Sequence, residues 1–124
     1  MKKTRTVFAA VLAALIGLTL PVNAGPQQNY EKALVYLQKA RATTAVKVKN
    51  ENLKNAREQI LQSKYTVGGH GAAAIALINQ AIKYVNEFKL DKANGMIDNA
   101  SVKVKHAIQA IKQEAAAKAK AGGK

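Results

Sequence analysis

Two histidines are the residues of this chain best suited to hold a transition-metal ion. His70 stands in the glycine-rich stretch VGGHG at residues 67–71, and His106 stands in KHAI at residues 105–108. A neutral imidazole binds copper, nickel or zinc through a ring nitrogen. The chain has no cysteine, and two histidines bind a metal weakly unless a carboxylate such as Asp98 or a second molecule adds ligands. His70 and His106 are therefore the candidate metal ligands.

Both histidines also have an interpretation without a metal. The glycines around His70 permit a tight turn in which a polar side chain is simply solvated. His106 follows the lysine-rich stretch KVK and lies off the apolar face of its helix, which is typical of a solvent-facing residue. A third interpretation is that the amides of residues 68–71, at the start of a helix, hold an anion.

The remaining polar residues do not form a catalytic pattern. The seven acidic residues are scattered, and no pair of them has a spacing that favours acid–base catalysis. The sequence has neither the Glu-x-x-His pair of di-iron bundles nor the Cys-x-x-Cys-His motif of haem attachment. These observations predict a protein that is not an enzyme.

The first 24 residues have the pattern of a secretory signal peptide. Three cations at residues 2–5 precede an apolar run at residues 7–20, and VNA at residues 22–24 supplies the small residues of a cleavage site. The run is too short and wrongly flanked for a stable membrane span. We expect cleavage after Ala24, export to a bacterial periplasm, and no transmembrane segment in the mature chain.

The mature chain is strongly basic. Without the three cations of the signal peptide, 17 Lys and Arg stand against 7 Asp and Glu, which gives a net charge of +10. This charge favours anionic partners such as nucleic acid or lipid headgroups, although it also fits a merely soluble surface. The cations expected to contact an anionic surface or polymer are Lys47, Lys49, Lys54, Arg57, Lys103, Lys105 and the lysines of the C-terminal tail.

Apolar residues recur at spacings of three and four through four stretches of the mature chain, the pattern of amphipathic helices. Asn50 or Asn52 is expected to cap the second helix and Asp91 the fourth. Residues 115–124 lack large apolar side chains and are expected to fray into a solvated Ala/Lys/Gly-rich tail. The apolar faces are Tyr30, Ala33, Leu34, Leu37 and Ala40; Leu53, Ala56, Ile60 and Leu61; Ile75, Ile78, Ile82 and Val85, flanked by Phe88; and Ile97, Ala100, Val104, Ala107 and Ile111.

The two halves of this pattern resemble each other. An offset of 41 residues superimposes the first apolar face on the third, and an offset of 44 superimposes the second on the fourth. Two similar helical hairpins predict an all-α fold, an antiparallel up-down-up-down four-helix bundle over residues 25–114. In this topology His70 begins the third helix, and His106 lies ~22 Å along a fourth helix that runs back past a third helix ~27 Å long. The two histidines are therefore expected at the same level, with Tyr30 and Tyr65 at the same end.

The signal peptide, the mature length, the paired hairpins, the turn VGGHG and the stretches INQAIKY and KHAIQAIK together resemble the small metal-binding proteins of the bacterial periplasm. That family forms histidine-rich four-helix bundles that bind copper, nickel and other divalent ions. The resemblance implies a small periplasmic protein that buffers a divalent ion, copper or nickel, with His70 and His106 as its ligands. Where the family repeats histidine, this chain has Lys, Tyr or Ala, as at Lys83 and Tyr84.

Three functions are consistent with the sequence. The first is metal binding through His70 and His106. The second is binding of polyanions, such as lipid or lipopolysaccharide headgroups or nucleic acid, through the lysine-rich surface. The third is a structural or stress-related bundle whose charge keeps it soluble.

Overall fold

The computed structural model describes residues 25–63 and 69–122, and within these ranges the chain is helical with no strand. The four helices are α1 (Pro26–Ala42), α2 (Val46–Ser63), α3 (His70–Asn86) and α4 (Leu90–Gly122). Helix α1 packs against α2 and α4, and α3 packs against α4 and α2, whereas the backbones of the diagonal pairs are not direct neighbours. The predicted all-α four-helix bundle is confirmed. The predicted signal peptide lies outside the described residues.

The core follows the predicted apolar faces. Large buried side chains such as Leu37, Leu53 and Ile78 are fully covered, and burying one of this size contributes about 1.5–3 kcal/mol. Half of the buried apolar residues are alanines, which let neighbouring helices approach closely. The core comprises Tyr30, Ala33, Leu37, Ala40, Leu53, Ala56, Ile60, Ala74, Ile78, Ala81, Val85, Ala93, Ile97, Ala100, Val104 and Ala107.

Helix α2 begins earlier than the sequence predicted. It starts at Val46, so the predicted caps lie inside it, where both amides have other hydrogen bonds. Asn50 Nδ2 donates to Asn86 Oδ1 at 2.8 Å, and Asn52 Nδ2 donates to the Val48 carbonyl at 3.0 Å. The turn before the helix is closed instead by Thr43 Oγ1, which accepts a hydrogen bond from the Ala45 amide at 3.1 Å.

Three other predicted positions differ in the structure. Leu61 was expected in the core but is 53% exposed, because it lies one residue beyond buried Ile60 and is rotated off that face. Asp91 is in the first turn of α4 rather than at its N-cap, since the helix begins at Leu90. Phe88 belongs to the turn after α3, with a φ of 60°, and its side chain is 77% exposed.

Helix α4 continues through most of the segment that was expected to fray. It extends to Gly122, although residues 112–120 are all exposed and make no core contact. Alanine, lysine, glutamate and glutamine have high helix propensity, and a helix already formed on the bundle needs no new nucleation. The expectation that residues 115–124 fray is therefore wrong for residues 115–122, which are helical, although residues 115–120 are exposed as expected. No helix in the described ranges has the length and apolar character needed to cross a membrane.

Candidate metal centre

His70 and His106 lie beside each other in the folded chain. Their ring centroids are 5.5 Å apart, and the two ring planes make an angle of 67°. The expectation that the two histidines share one level of the bundle is confirmed. Tyr65, which was expected at the same end, is outside the described residues.

The proximity follows from the antiparallel packing of α3 and α4. His70 precedes the end of α3 at Asn86 by 16 residues, and His106 follows the start of α4 at Leu90 by the same number. Both are therefore about 24 Å from the connection between the two helices. Equal distances from a short connection place two residues of an antiparallel hairpin side by side.

Glycines shape the backbone at His70. Gly69 has a φ of 71°, a left-handed conformation that glycine adopts without steric cost. Its carbonyl accepts a hydrogen bond from the Ala73 amide at 3.0 Å, which begins α3. Gly71 is buried, and a Cβ atom at that position would collide with the hydroxyl oxygen of Tyr30. The absence of a side chain at Gly71, the residue after His70, therefore leaves room in the core for the Tyr30 hydroxyl.

The two imidazoles differ in exposure, and both can reach solvent. His70 is half-buried and His106 is exposed. A side chain with this exposure can rotate to present a ring nitrogen without disturbing the core. An ion from solution can approach the pair directly.

The spacing of the rings fits a shared metal ion. An ion ~2.0 Å from each ring nitrogen lies ~3.2 Å from each centroid, so two centroids are ~5 Å apart at a tetrahedral angle and ~6.3 Å apart in a linear arrangement. The observed 5.5 Å falls between these values. Small rotations of the side chains are enough to direct one nitrogen of each ring at a common point.

The carboxylate of Asp98, suggested above as a further ligand, forms an ion pair elsewhere on the surface. Asp98 pairs with Arg41, with 2.9 Å between Oδ1 and Nε and 3.4 Å between Oδ2 and Nη2. It also precedes His106 by eight residues of α4, or about 12 Å. Across the described residues, no three His, Cys, Asp or Glu side chains are grouped in a way that could hold an ion. Asp98 is therefore not grouped with the two histidines, which remain the candidate ligands.

A cation also lies on the same helix face as His106. Lys103 is three residues earlier on α4 and half-buried, a spacing that places the two side chains on one face. His70 is the first residue of α3, where the helix dipole is positive. The local field therefore opposes a positive ion, and more strongly as the charge of that ion increases.

Lys49 was predicted to belong to the basic surface, and the structure buries it. Its side chain is 1% exposed, and Nζ donates hydrogen bonds of 2.8 Å to the carbonyl oxygens of Ala40 and Thr43. Burial lowers the pKa of Lys49, and the nearby positive charge of Arg41 lowers it further. Lys49 precedes Leu53 by four residues, so the periodicity of α2 already placed it on the buried face. It ties the end of α1 to α2 and is not available to a polyanion.

No family model, curated protein or solved structure matches this chain. The resemblance to small periplasmic metal-binding proteins consequently stays an expectation from sequence motifs.

Proposed function

We propose that this protein binds a transition-metal ion, copper or nickel, through His70 and His106 in the bacterial periplasm. The observation that carries the proposal is the 5.5 Å separation of the two imidazole rings. These are the chain's two histidines, they are distant in sequence, and the fold brings them together at an accessible surface.

The scaffold supports this function because it holds the backbone of both ligand residues in place before an ion arrives. Each histidine is fixed to a helix of the same tightly packed hairpin, and buried Ala74 and Ala107 lie within four residues of the two ligands. A site whose ligands are already positioned loses little conformational entropy on binding. The signal-peptide pattern and the family resemblance supply the compartment and the class of ion.

A titration with single-histidine variants tests the proposal. Copper or nickel is added to the wild-type protein and to His70→Ala and His106→Ala, with a chromophoric chelator as competitor. The wild type is expected to bind one ion, and each variant is expected to lose more than the ~100-fold in affinity that removal of an outer-shell partner costs. Acidification should release the ion, because a protonated imidazole cannot bind it.

Gln109→Ala is the matched control for these variants. Gln109 is exposed and follows His106 by three residues on the same helix face, so its replacement alters the surface without removing an imidazole. Circular dichroism on each variant verifies that the helices persist. Equal metal affinity in the wild type and both histidine variants would show that neither His70 nor His106 is a metal ligand.

A second candidate function is supported by the exposed end of α4. Lys112, Lys118 and Lys120 lie in a helical segment that is exposed throughout and is accompanied by a single acid, Glu114. We propose binding to a polyanion through this segment as the alternative. Association with anionic vesicles or duplex DNA should weaken steeply as salt rises and should weaken further in a triple Lys→Ala variant. Association that is independent of salt would contradict this alternative.

A further inference from the structure

We infer that the His70–His106 pair selects copper(I) over divalent ions. This inference rests on the proposed metal-binding function and adds the charge and coordination number of the ion. It follows from which ligands the chain has near the pair and from the electrostatics around it, and the ring geometry is compatible with it.

The pair supplies two neutral nitrogen ligands and no negative charge. All seven acids of the chain lie within the described residues, and none is grouped with the histidines. Residues 1–24, 64–68 and 123–124 contain no His, Cys, Asp or Glu. The thioether of Met96 is ten residues before His106, about 15 Å along α4. No other strong side-chain ligand of this chain therefore reaches an ion bound between the two rings.

Copper(I) and the divalent ions differ in how many ligands they need. Zinc takes four ligands, and copper(II) and nickel(II) prefer tetragonal sets of nitrogen and oxygen donors. Two imidazoles leave half or more of such a coordination shell to water. Copper(I), with a filled d shell and a single charge, is satisfied by two nitrogen ligands in a near-linear arrangement.

The electrostatics favour the ion of lower charge. An ion between the rings lies close to the positive end of the α3 dipole and on the helix face that carries Lys103. Coulomb repulsion from these fixed charges doubles when the ion carries two charges instead of one. No carboxylate is grouped with the two histidines to offset this repulsion, so the penalty falls more heavily on copper(II) or nickel(II).

The ring separation is compatible with a two-coordinate ion. The centroids are 5.5 Å apart, and a linear arrangement needs ~6.3 Å. His106 is exposed and His70 half-buried, so a shift of less than an ångström in the side chains accommodates the difference. The backbone of the hairpin does not have to move.

The inference is tested by measuring copper(I), copper(II) and nickel(II) affinities for the same protein. Copper(I) is titrated anaerobically against bicinchoninate with ascorbate present, and the divalent ions are titrated against a divalent-ion chelator. We expect copper(I) to bind at least about a hundredfold more tightly than either divalent ion, and His70→Ala or His106→Ala to abolish this preference. X-ray absorption of the copper(I) form should show two nitrogen neighbours.

Val102→Glu supplies a matched variant. Val102 is 46% exposed and precedes His106 by four residues, so a glutamate there places a carboxylate beside the pair. We expect this variant to gain affinity for copper(II) and nickel(II) by about tenfold or more while its copper(I) affinity changes less. Val102→Gln controls for side-chain size without the charge.

The outcomes distinguish this inference from the function on which it rests. If copper(II) or nickel(II) binds the wild type at least as tightly as copper(I), the inference is wrong and the metal-binding function stands. If no ion binds, both fail. Copper(I) binding that is unchanged in His70→Ala and His106→Ala would place copper elsewhere on the chain and overturn the inference as well.

Discussion

The first hairpin, α1–α2, and the second, α3–α4, bury corresponding positions. The buried residues of α1 match buried residues of α3 at an offset of 41, and those of α2 match those of α4 at an offset of 44. The matched buried pairs are Tyr30 and Gly71, Ala33 and Ala74, Leu37 and Ile78, Ala40 and Ala81, Lys49 and Ala93, Leu53 and Ile97, Ala56 and Ala100, and Ile60 and Val104.

The hairpins differ most at the two pairs that set a large side chain against a small one. Tyr30 corresponds to Gly71, and these two residues meet in the core because the tyrosine hydroxyl fills the volume that a Cβ at Gly71 would take. Lys49 corresponds to Ala93, and both are buried. The shared pattern therefore specifies the backbone, while the unequal pairs specify how each end of the bundle is filled.

The candidate metal ligands occur in one hairpin alone. The same offsets place Asn29 opposite His70 and Gln62 opposite His106, with the same exposure: half-buried for the first pair and exposed for the second. Amide side chains bind transition metals poorly, so the first hairpin has the corresponding positions but no metal ligands there. It is an internal control for the second.

Transferring the histidines to the first hairpin should produce the largest effect. The variant Asn29→His/Gln62→His is expected to bind two ions per chain instead of one. At an ion concentration a hundredfold above the dissociation constant, a new site should stabilise the fold by about 2.7 kcal/mol. Ion stoichiometry and thermal unfolding with and without metal measure both effects.

The new site should also differ in selectivity. Glu58 precedes Gln62 by four residues, and its carboxylate accepts a hydrogen bond from that amide at 3.5 Å, whereas the corresponding residue near His106 is Val102. A carboxylate beside the engineered pair should make it more receptive to divalent ions than the native pair. A stoichiometry that stays at one ion would mean that the two hairpins do not present these positions alike.

Adding a side chain at Gly71 should produce the next largest effect. Gly71→Ala is expected to destabilise the fold by about 1–3 kcal/mol, because the new Cβ overlaps the Tyr30 hydroxyl in a packed core. Tyr30→Phe in the same chain should recover part of the loss, since it removes the colliding oxygen. Denaturant unfolding of the two single variants and the double variant measures this coupling.

Gly95 provides the control for that substitution. A Cβ at Gly95 in α4 meets nothing within 4 Å, so Gly95→Ala should stabilise the helix by about 1 kcal/mol through backbone entropy alone. If both alanine variants changed stability in the same direction, the packing of Tyr30 against Gly71 would not be the reason why residue 71 has no side chain.

Lys49 should contribute a smaller effect that depends on pH. Its folded-state pKa is lowered from the ordinary lysine value of 10.5 by burial and by Arg41, so the unfolded chain binds more protons between the two values. Stability should therefore rise as pH increases through that window to 10.5. Lys49→Met should lose this rise and, at neutral pH, should change stability by about 1 kcal/mol, because lost hydrogen bonds oppose the relief of a buried charge.

The decisive quantity is the difference in unfolding free energy between the wild type and Lys49→Met, measured as a function of pH. Lys54→Met is the control, because Lys54 lies on the same helix and is exposed. If the difference in unfolding free energy between the wild type and Lys49→Met did not vary with pH, Lys49 would not contribute to the pH dependence of stability.

The sequence predicted the features that depend on a repeated spacing. The apolar faces predicted the four helices, and the approximate lengths of two antiparallel helices on either side of one short connection predicted the meeting of His70 and His106. Features that depend on a particular tertiary contact were missed. Lys49 is buried because the carbonyl oxygens of Ala40 and Thr43, at the end of α1, accept hydrogen bonds from its Nζ. Helix α2 begins early because Thr43 closes the turn.

The connections of the two hairpins differ in backbone conformation, and this difference should have the smallest effect. After α3 the amide of Phe88 donates to the Val85 carbonyl and that of Lys89 donates to the Tyr84 carbonyl, both at 2.9 Å. This pattern ends a helix with a left-handed residue, usually glycine. Phe88 holds that position with a φ of 60°, whereas Thr43 after α1 is extended, with a φ of −112°.

Phe88→Gly should therefore stabilise the protein by about 0.5–1 kcal/mol, because it relieves a conformation that costs an L-residue about 1–2 kcal/mol and part of that gain is lost to the freer unfolded chain. The side chain of Phe88 is 77% exposed, so its removal sacrifices little burial. Thr43→Gly should have the opposite sign, since an extended residue gains nothing from glycine. Denaturant unfolding of the two variants decides the matter: if Phe88→Gly destabilises the protein as Thr43→Gly does, the aromatic side chain has a packing or binding role that outweighs its backbone strain.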